Sequence, residues 1–372
     1  MEVVKVRSAK DKKSFIDFPL KLYKNNEFFV PPLYADEKAI FTDKNAYFKT
    51  CDSEFFLAKQ NGKVVGRIQG IIQKQYNAIN NEKRVRFTRF DAIDDQEIAC
   101  ALFNAVEQWA KENGMDTVCG PLGYSDLERE GLLIEGFDQL STFEEQYNYP
   151  YYQKLVENLG YVKEVDWLEY KLIKPNELSE KISRVATKTL SLNKLHVGGE
   201  GLSKKQFIKK YKNGIFYCID ECYRNLYGVV PFTDEMKKQI IDQFMLLLDN
   251  RFLQVICDEN EKVVAFGLCL PSIGKALQKS GGKLTIPALI KVLKCAKKPK
   301  VLDLALIGVL PEYQSKGVNA VALNYLISVM NANAISYCET NLNLESNEKV
   351  QQQWKYFENV QHKRRRSYVK KI

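Results

Sequence analysis

The chain has 372 residues, 45% of them apolar and 27% charged, a globular balance with material for about two domains. Its net charge of +9 is concentrated in two segments, which argues against a nucleic-acid binder, and no apolar run approaches the roughly 20 residues of a membrane span. Nine scattered cysteines without a Cys-x-x-Cys pair, and a start (MEVVKVRSAKDKK) lacking a signal-peptide stretch, predict reduced thiols and a cytoplasmic location.

In chain order, Asn61-Gly62 between Phe55–Lys59 and Lys63–Ile72 predicts a β-hairpin. A strand over Arg84–Phe90 and a helix from Asp95 to Asn113 follow. Ile98, Leu102, Ala105, Val106 and Trp109 recur on one face of that helix, and Gly114 stands at its C-cap. A strand near Asp116–Cys119, a helix over Tyr151–Asn158 and strands within Val162–Leu172 close this half. Residues 173–194 read as a helical linker, with Ile182, Val185, Leu190 and Leu192 requiring burial. Thr233 caps a helix reaching Leu248. A second hairpin (Phe252–Cys257, Lys262–Leu270), a lysine-rich insertion, a strand over Val301–Leu310, a helix from Val318 and a strand over Ala334–Thr340 complete the order.

The two halves share one plan. Lys-Val-Val opens the second strand of both hairpins, at Lys63 and Lys262, and GYVKEVDWLEYKL and HKRRRSYVKKI close the halves. The fold class is therefore α/β (α+β). It is expected as an N-terminal domain over 1–172, a linker over 173–194 and a C-terminal domain over 195–372, each a mixed, mostly antiparallel sheet flanked by helices.

The charge is local. Segment 271–300 holds eight lysines and no acid, and the tail adds Lys363, Arg364, Arg365, Arg366, Lys370 and Lys371. Such patches suit a phosphorylated cofactor, an acidic partner or a membrane surface. Within the insertion, Leu289, Val292, Leu293 and Ala296 form an apolar face and Lys291, Lys294 and Lys298 a basic one. The helix is short and lacks Trp and Phe, so it is expected to pack on its domain rather than on a membrane surface.

Leu306–Ala320, LIGVLPEYQSKGVNA, is a strand running through a polar turn into an amphipathic helix. Turn amides, a helix N-terminus, Lys316 and the small Gly317 make an anion cradle. The segment resembles the coenzyme-A loop of the GNAT acyltransferase superfamily, Gln/Arg-x-x-Gly-x-Gly/Ala. The resemblance continues through GVVPFTDE (228–235), VVAFGLCLPSIGKAL (263–277), ETNLNLESN (339–347), GPLGYSDLEREGLLIEGF (120–137) and YNYPYYQKLVENLGY (147–161), which resemble a bacterial tandem-domain group of that superfamily.

The resemblance implies an acyltransferase moving an acyl group, acetyl in the first instance, from acetyl-CoA or another acyl-CoA to a small amine or amino-acid acceptor, with no metal. Gln314, Ser315, Lys316, Gly317, Val318, Asn319 and Ala320 would hold the pyrophosphate, and Ile307, Gly308, Val309 and Leu310 the pantetheine arm. Asn347 falls in the same site, and Asn319 departs from the usual Gly or Ala. Asp94, Asp95 and Glu97 crowd the matching helix start of the first half, so one CoA site is expected, in the second half. Alternatives implied by the same group are a non-catalytic ligand binder and a transferase drawing on acyl-carrier protein or aminoacyl-tRNA.

The catalytic pattern is incomplete. The family often places a tyrosine acid seven residues beyond the position of Asn347, and this chain has Trp354 there. With only His196 and His362 available, the base is expected to be a carboxylate, Glu345 or Glu339. The glycine-rich stretch from Gly120 to Gly136 is expected to wall the acceptor site, with Tyr124, Asp126 and Glu135 facing an amine.

Overall fold

The structure, a computed structural model, describes residues 1–173 and 180–372, so residues 174–179 of the expected linker lie outside the described residues. The first half comprises β1 (Glu2–Lys5), α1 (Ala9–Leu22), α2 (Tyr34–Ala39), β2 (Cys51–Gln60), β3 (Lys63–Gln73), α3 (Lys74–Asn80), β4 (Arg84–Ala92), α4 (Gln96–Glu112), β5 (Thr117–Gly120), β6 (Leu132–Glu135), α5 (Tyr151–Glu157) and β7 (Val162–Ile173). After α6 (Glu180–Leu192) come β8 (His196–Gly198), α7 (Lys204–Tyr223), α8 (Asp234–Phe244), β9 (Leu253–Cys257), β10 (Val263–Pro271), α9 (Gly274–Gln278), α10 (Ile286–Lys297), β11 (Val301–Val309), α11 (Val318–Ala332), β12 (Tyr337–Thr340), β13 (Asn343–Leu344), α12 (Glu348–Gln353) and β14 (Glu358–Lys371).

Local chemistry sets these elements. Asn61 and Gly62 take φ of 52° and 74°, the left-handed pair that a tight hairpin between β2 and β3 needs. Asp95 caps α4 by accepting from Glu97 N at 2.8 Å. Ser203 and Gln206 form a reciprocal capping box on α7. The expected faces are buried: Ile98, Leu102, Val106 and Trp109 of α4 pack on β2–β4, and Leu323, Leu326, Ile327 and Met330 of α11 pack beside Leu302, Leu304 and Cys338. Ile182 of α6 joins this second cluster, so α6 lies on α11.

The strands run in the order β1-β2-β3-β4-β5-β14-β7-β12-β11-β10-β9-β8, with β6 on β14 and β13 on β7. Pairing is antiparallel except for β4 with β5 and β11 with β12. The closing strands are exchanged. β7 of the first half pairs with β12 (Cys338 opposite Leu172), and β14 of the second pairs with β5 (Val369 opposite Cys119). The two closing strands also pair with each other along most of their length, which joins both halves into one sheet.

This exchange changes the meaning of the basic tail. Lys363 and Arg365 are 1% and 0% exposed, so these two cations of the tail are interior, while Arg364, Arg366 and Lys370 are partly buried and Lys371 is exposed. Lys363 bonds Glu339 and, at 3.2 Å, Glu169. Arg365 bonds Glu169 at 2.6 Å and lies 3.6 Å from Glu145. Charges this deep persist only when paired and hydrogen-bonded.

Candidate functional site

The site is created by a break in β11. Leu306 stands opposite Leu268 and Leu304 opposite Cys269, which leaves Ala305 as an extra, bulged residue. β12 accompanies β11 only from Val301 (opposite Tyr337) to Leu304 (opposite Thr340) and then departs. Beyond the bulge, the backbone of Ile307 faces the resulting gap. The Tyr223 hydroxyl donates to Ile307 O at 2.9 Å and accepts from Ile307 N at 3.1 Å.

A cavity of about 230 Å³ opens at this gap. Its apolar walls are Ile208, Ile215, Phe216 and Ile219 of α7, Ile240, Ile241 and Phe244 of α8, and Leu268, Leu270 and Leu306 of β10 and β11. Aliphatic side chains this continuous suit a long apolar guest. The opposite wall is acidic and comes from the first half: Asp126, Glu128, Glu130, Glu144 and Glu145.

Burial controls these carboxyls. Desolvation pushes Asp126 up to about 6 and Glu144 up to about 7. Glu130 is also raised well above the usual carboxylate range, by burial first and by Asp126 second. Glu145 is also raised by burial, against the pull of Arg365. Glu144 is half-buried, as are Asp126 and Glu128, and among the described residues no hydrogen-bond or ion-pair partner holds its carboxylate. It is therefore a cavity-facing group that changes charge near neutral pH.

The residues expected from the sequence separate into two groups. Asp126, Ile307 and Asn347 line the cavity, and Asn347 also caps α12 by accepting from Val350 N at 3.3 Å. Glu345, Glu339, Tyr124 and Glu135 do not. Glu345 pairs with Lys163 at 2.8 Å and accepts from Asp166 N at 3.2 Å. Glu339 is consumed by Lys363, with His362 at 3.5 Å. Tyr124 is fully buried behind the wall, accepting from Gln69 Nε2 at 2.8 Å and stacked on Tyr47. Glu135 is a surface partner of Arg364 at 3.2 Å. Trp354, standing where a tyrosine acid is usual, donates its indole N–H to Asn343 Oδ1 at 3.2 Å and borders the cavity.

The anion cradle has the expected form. Ser315 and Gly317 take φ of 63° and 82°, and α11 begins at Val318. Among the described residues, no acceptor takes the N–H of Ser315, Gly317, Val318 or Asn319. Gly317 is required by space as well as by φ, since a Cβ there would lie 2.6 Å from Thr189 Oγ1 of α6. Gln314 Nε2 donates back to Val309 O at 3.2 Å, Leu310 N donates to Val264 O at 2.9 Å, and Gly308 lies against Phe266, which leaves no room for a side chain. Lys316 and Asn319 flank the free amides, Ala320 N donates to Gly317 O at 2.9 Å, and the set fits a pyrophosphate. In the first half, Asp95's own carboxylate occupies the equivalent helix start.

Sequence reasoning does not single out Tyr223 or Glu144. Tyr223 ends a helix whose apolar pattern is interrupted at Gly214, and Glu144 lies in an irregular stretch without periodicity.

No protein-family model matches the chain. It is 28% identical over 324 residues to Protein YghO of Escherichia coli (strain K12), covering 86% of this chain and 81% of that protein. It is 26% identical over 326 residues to the bacterial ceramide synthase of Caulobacter vibrioides, covering 85% and 82% respectively. Among solved structures, a tandem GNAT protein from the clavulanic acid biosynthesis pathway matches with a TM-score of 0.55 at 11% identity, over 100% of this chain and 98% of that one. A GCN5-related N-acetyltransferase from Sphaerobacter thermophilus matches with a TM-score of 0.51 at 10% identity, over 99% and 95%.

Proposed function

We propose that this chain, which has the fold of the tandem GNAT proteins, transfers a long acyl group from a CoA thioester to a primary amine. The observation that carries the proposal is the aliphatic cavity opening at the β11–β12 gap. An acetyl group would need none of that wall, whereas each buried methylene contributes about 0.8 kcal/mol of binding. Similarity to a bacterial ceramide synthase, named for a lipid with an amide-linked chain, fits the same size of donor.

In this reading the free amides of Ser315, Gly317, Val318 and Asn319, with Lys316, hold the pyrophosphate, and the pantetheine arm follows Ile307–Leu310. The acidic wall draws in the cationic amine. The bound ammonium first loses one proton to solvent, and Glu144 in its ionised form takes the second as the free amine nitrogen attacks the thioester carbonyl carbon. The C–N bond forms, the C–S bond breaks, and the Tyr223 hydroxyl turns its proton from Ile307 O to the departing thiolate, which is protonated from solvent. A thiol of ordinary pKa near 8.5 leaves without a strong acid, so Trp354 in place of a tyrosine is compatible with turnover. Asp95 excludes a second pyrophosphate from the first half.

The test is incubation with saturated acyl-CoAs from acetyl to palmitoyl and a panel of primary amines, following free thiol and identifying amides by mass spectrometry. Long-chain amides should form, acetyl amides should not, and Lys316→Glu should weaken acyl-CoA binding more than about tenfold. Tight acyl-CoA binding without any amide would replace this reading with that of a binding protein.

A further inference from the structure

Helix α10 follows β10 and α9 in the lysine-rich insertion, and only part of it is spent on packing. Ala288 and Val292 are buried at 4% and 0% exposure. On the opposite side, Ile286, Ile290 and Leu293 are 78%, 48% and 46% exposed, and Leu284 just before the helix is 42% exposed. Their spacing of four and three residues places Ile286, Ile290 and Leu293 in one outward stripe at about 100° per residue. Leu293 therefore belongs to the outer face and not to the packed one.

The surroundings of the stripe are cationic. Lys275, Lys279, Lys283, Lys291, Lys294, Lys297, Lys298 and Lys300 are all exposed, and no acidic residue occurs between Glu261 and Asp303. Among the described residues none of these lysines forms an ion pair, and Lys283 lies over the Tyr34 ring at 4.7 Å. Asp17, the carboxylate that feels Lys283, is already hydrogen-bonded to Lys13 and Tyr34.

We propose that α10 docks this protein on an anionic membrane surface, with Ile286, Ile290 and Leu293 among the acyl chains and the flanking lysines at the phosphates. A helix of 12 residues cannot cross a bilayer, but one with an aliphatic stripe between lysines lies in its interface. The stripe is purely aliphatic, without the aromatic anchors that mark a protein-binding hot spot. Its charge complements acidic lipid headgroups. The position adds a consequence. Val292 and Cys295 pack in one cluster with Phe244, Leu248, Leu268 and Leu270, and those four side chains also border the cavity. Docking through α10 brings the cavity wall to the membrane face.

The inference does not depend on the proposed reaction, because it is tested without substrate. The full chain is mixed with phosphatidylcholine vesicles and with vesicles in which about a third of the lipid is phosphatidylglycerol, then floated on a density gradient. Wild type should float with the anionic vesicles and stay behind with the neutral ones. A variant carrying Ile286→Ser, Ile290→Ser and Leu293→Ser, and another carrying Lys291→Gln, Lys294→Gln and Lys297→Gln, should each bind at least about tenfold less, with unchanged thermal unfolding. Equal flotation of wild type and both variants, or none at all, overturns the proposal. A lipid-free dimer that the serine variant dissolves would assign the stripe to a second copy instead. Lysine-dependent binding to an acidic acyl-carrier protein, with no vesicle binding, would assign the patch to that partner and equally overturn it.

Discussion

The Tyr223 hydroxyl engages both backbone groups of Ile307, donating to the carbonyl at 2.9 Å and accepting from the amide at 3.1 Å. It thereby satisfies the edge of β11 that the departing β12 leaves open, and burial raises its pKa so that it stays a protonated donor. Tyr223→Phe removes the hydroxyl while keeping the ring. Stopped-flow or steady-state assay should show kcat reduced about a hundredfold, the cost of losing one donor to the leaving sulfur, with the KM for acyl-CoA little changed. A change in KM alone would make Tyr223 a packing residue.

Glu144 gives the account its pH dependence. Its carboxyl titrates at about 7, so the basic form, and with it kcat, should rise as pH increases through neutrality and level off above. Glu144→Gln should lower kcat at least about a hundredfold and abolish that rise. Glu345→Gln, which loses only a part-exposed pair with Lys163, should leave turnover intact. The raised acids also act on stability. A folded-state pKa above the unfolded value favours folding at low pH and loses that contribution as pH rises through the folded pKa. For Asp126 and Glu144 this places the decline of unliganded stability between about pH 4 and pH 7. Thermal melts across that range should show the fall, and Glu144→Gln should flatten part of it.

The apolar wall predicts a chain-length series. Affinity measured by calorimetry should grow about fourfold per added methylene, the equivalent of ~0.8 kcal/mol, until the cavity is filled. Ile219→Trp adds bulk inside the lining and should shorten the longest chain accepted without impairing short ones. An affinity that does not depend on length would remove the cavity from the account.

The buried charge ladder predicts a stability defect unconnected to chemistry. Lys363→Met removes the cation shared by Glu169 and Glu339, leaving Glu169 to Arg365 alone and Glu339 with only His362 nearby. Urea unfolding should register a loss of about 3–5 kcal/mol. A near-neutral effect would mean that water reaches this ladder.

Much of this architecture is legible in the sequence, for physical reasons. Asn61-Gly62, the apolar faces of α4 and α11, and the Gln314–Ala320 turn are local signals, each decided by neighbouring residues. The acidic wall at Asp126 is legible because clustered glycines mark a shaped loop. The strand exchange is not. The closing strands β7 and β14 have similar patterns, and nothing within either specifies which neighbour it pairs with. Lys363 and Arg365 therefore read as a solvated tail when their partners lie far along the chain, at Glu169, Glu145 and Glu339. Glu339 and Glu345 are plausible bases by position, but tertiary ion pairs consume them. Glu144 is set by desolvation alone, and desolvation leaves no mark in sequence.

The most direct test of the central claim, that a long acyl chain lodges in the cavity at the β11–β12 gap, is photocrosslinking with a palmitoyl-CoA analogue bearing a diazirine at the chain terminus. The labelled peptides should come from α7 or α8, within Lys204–Tyr223 or Asp234–Phe244, and excess palmitoyl-CoA should suppress the label. Label confined to other elements, or a yield indifferent to competitor, would contradict the account.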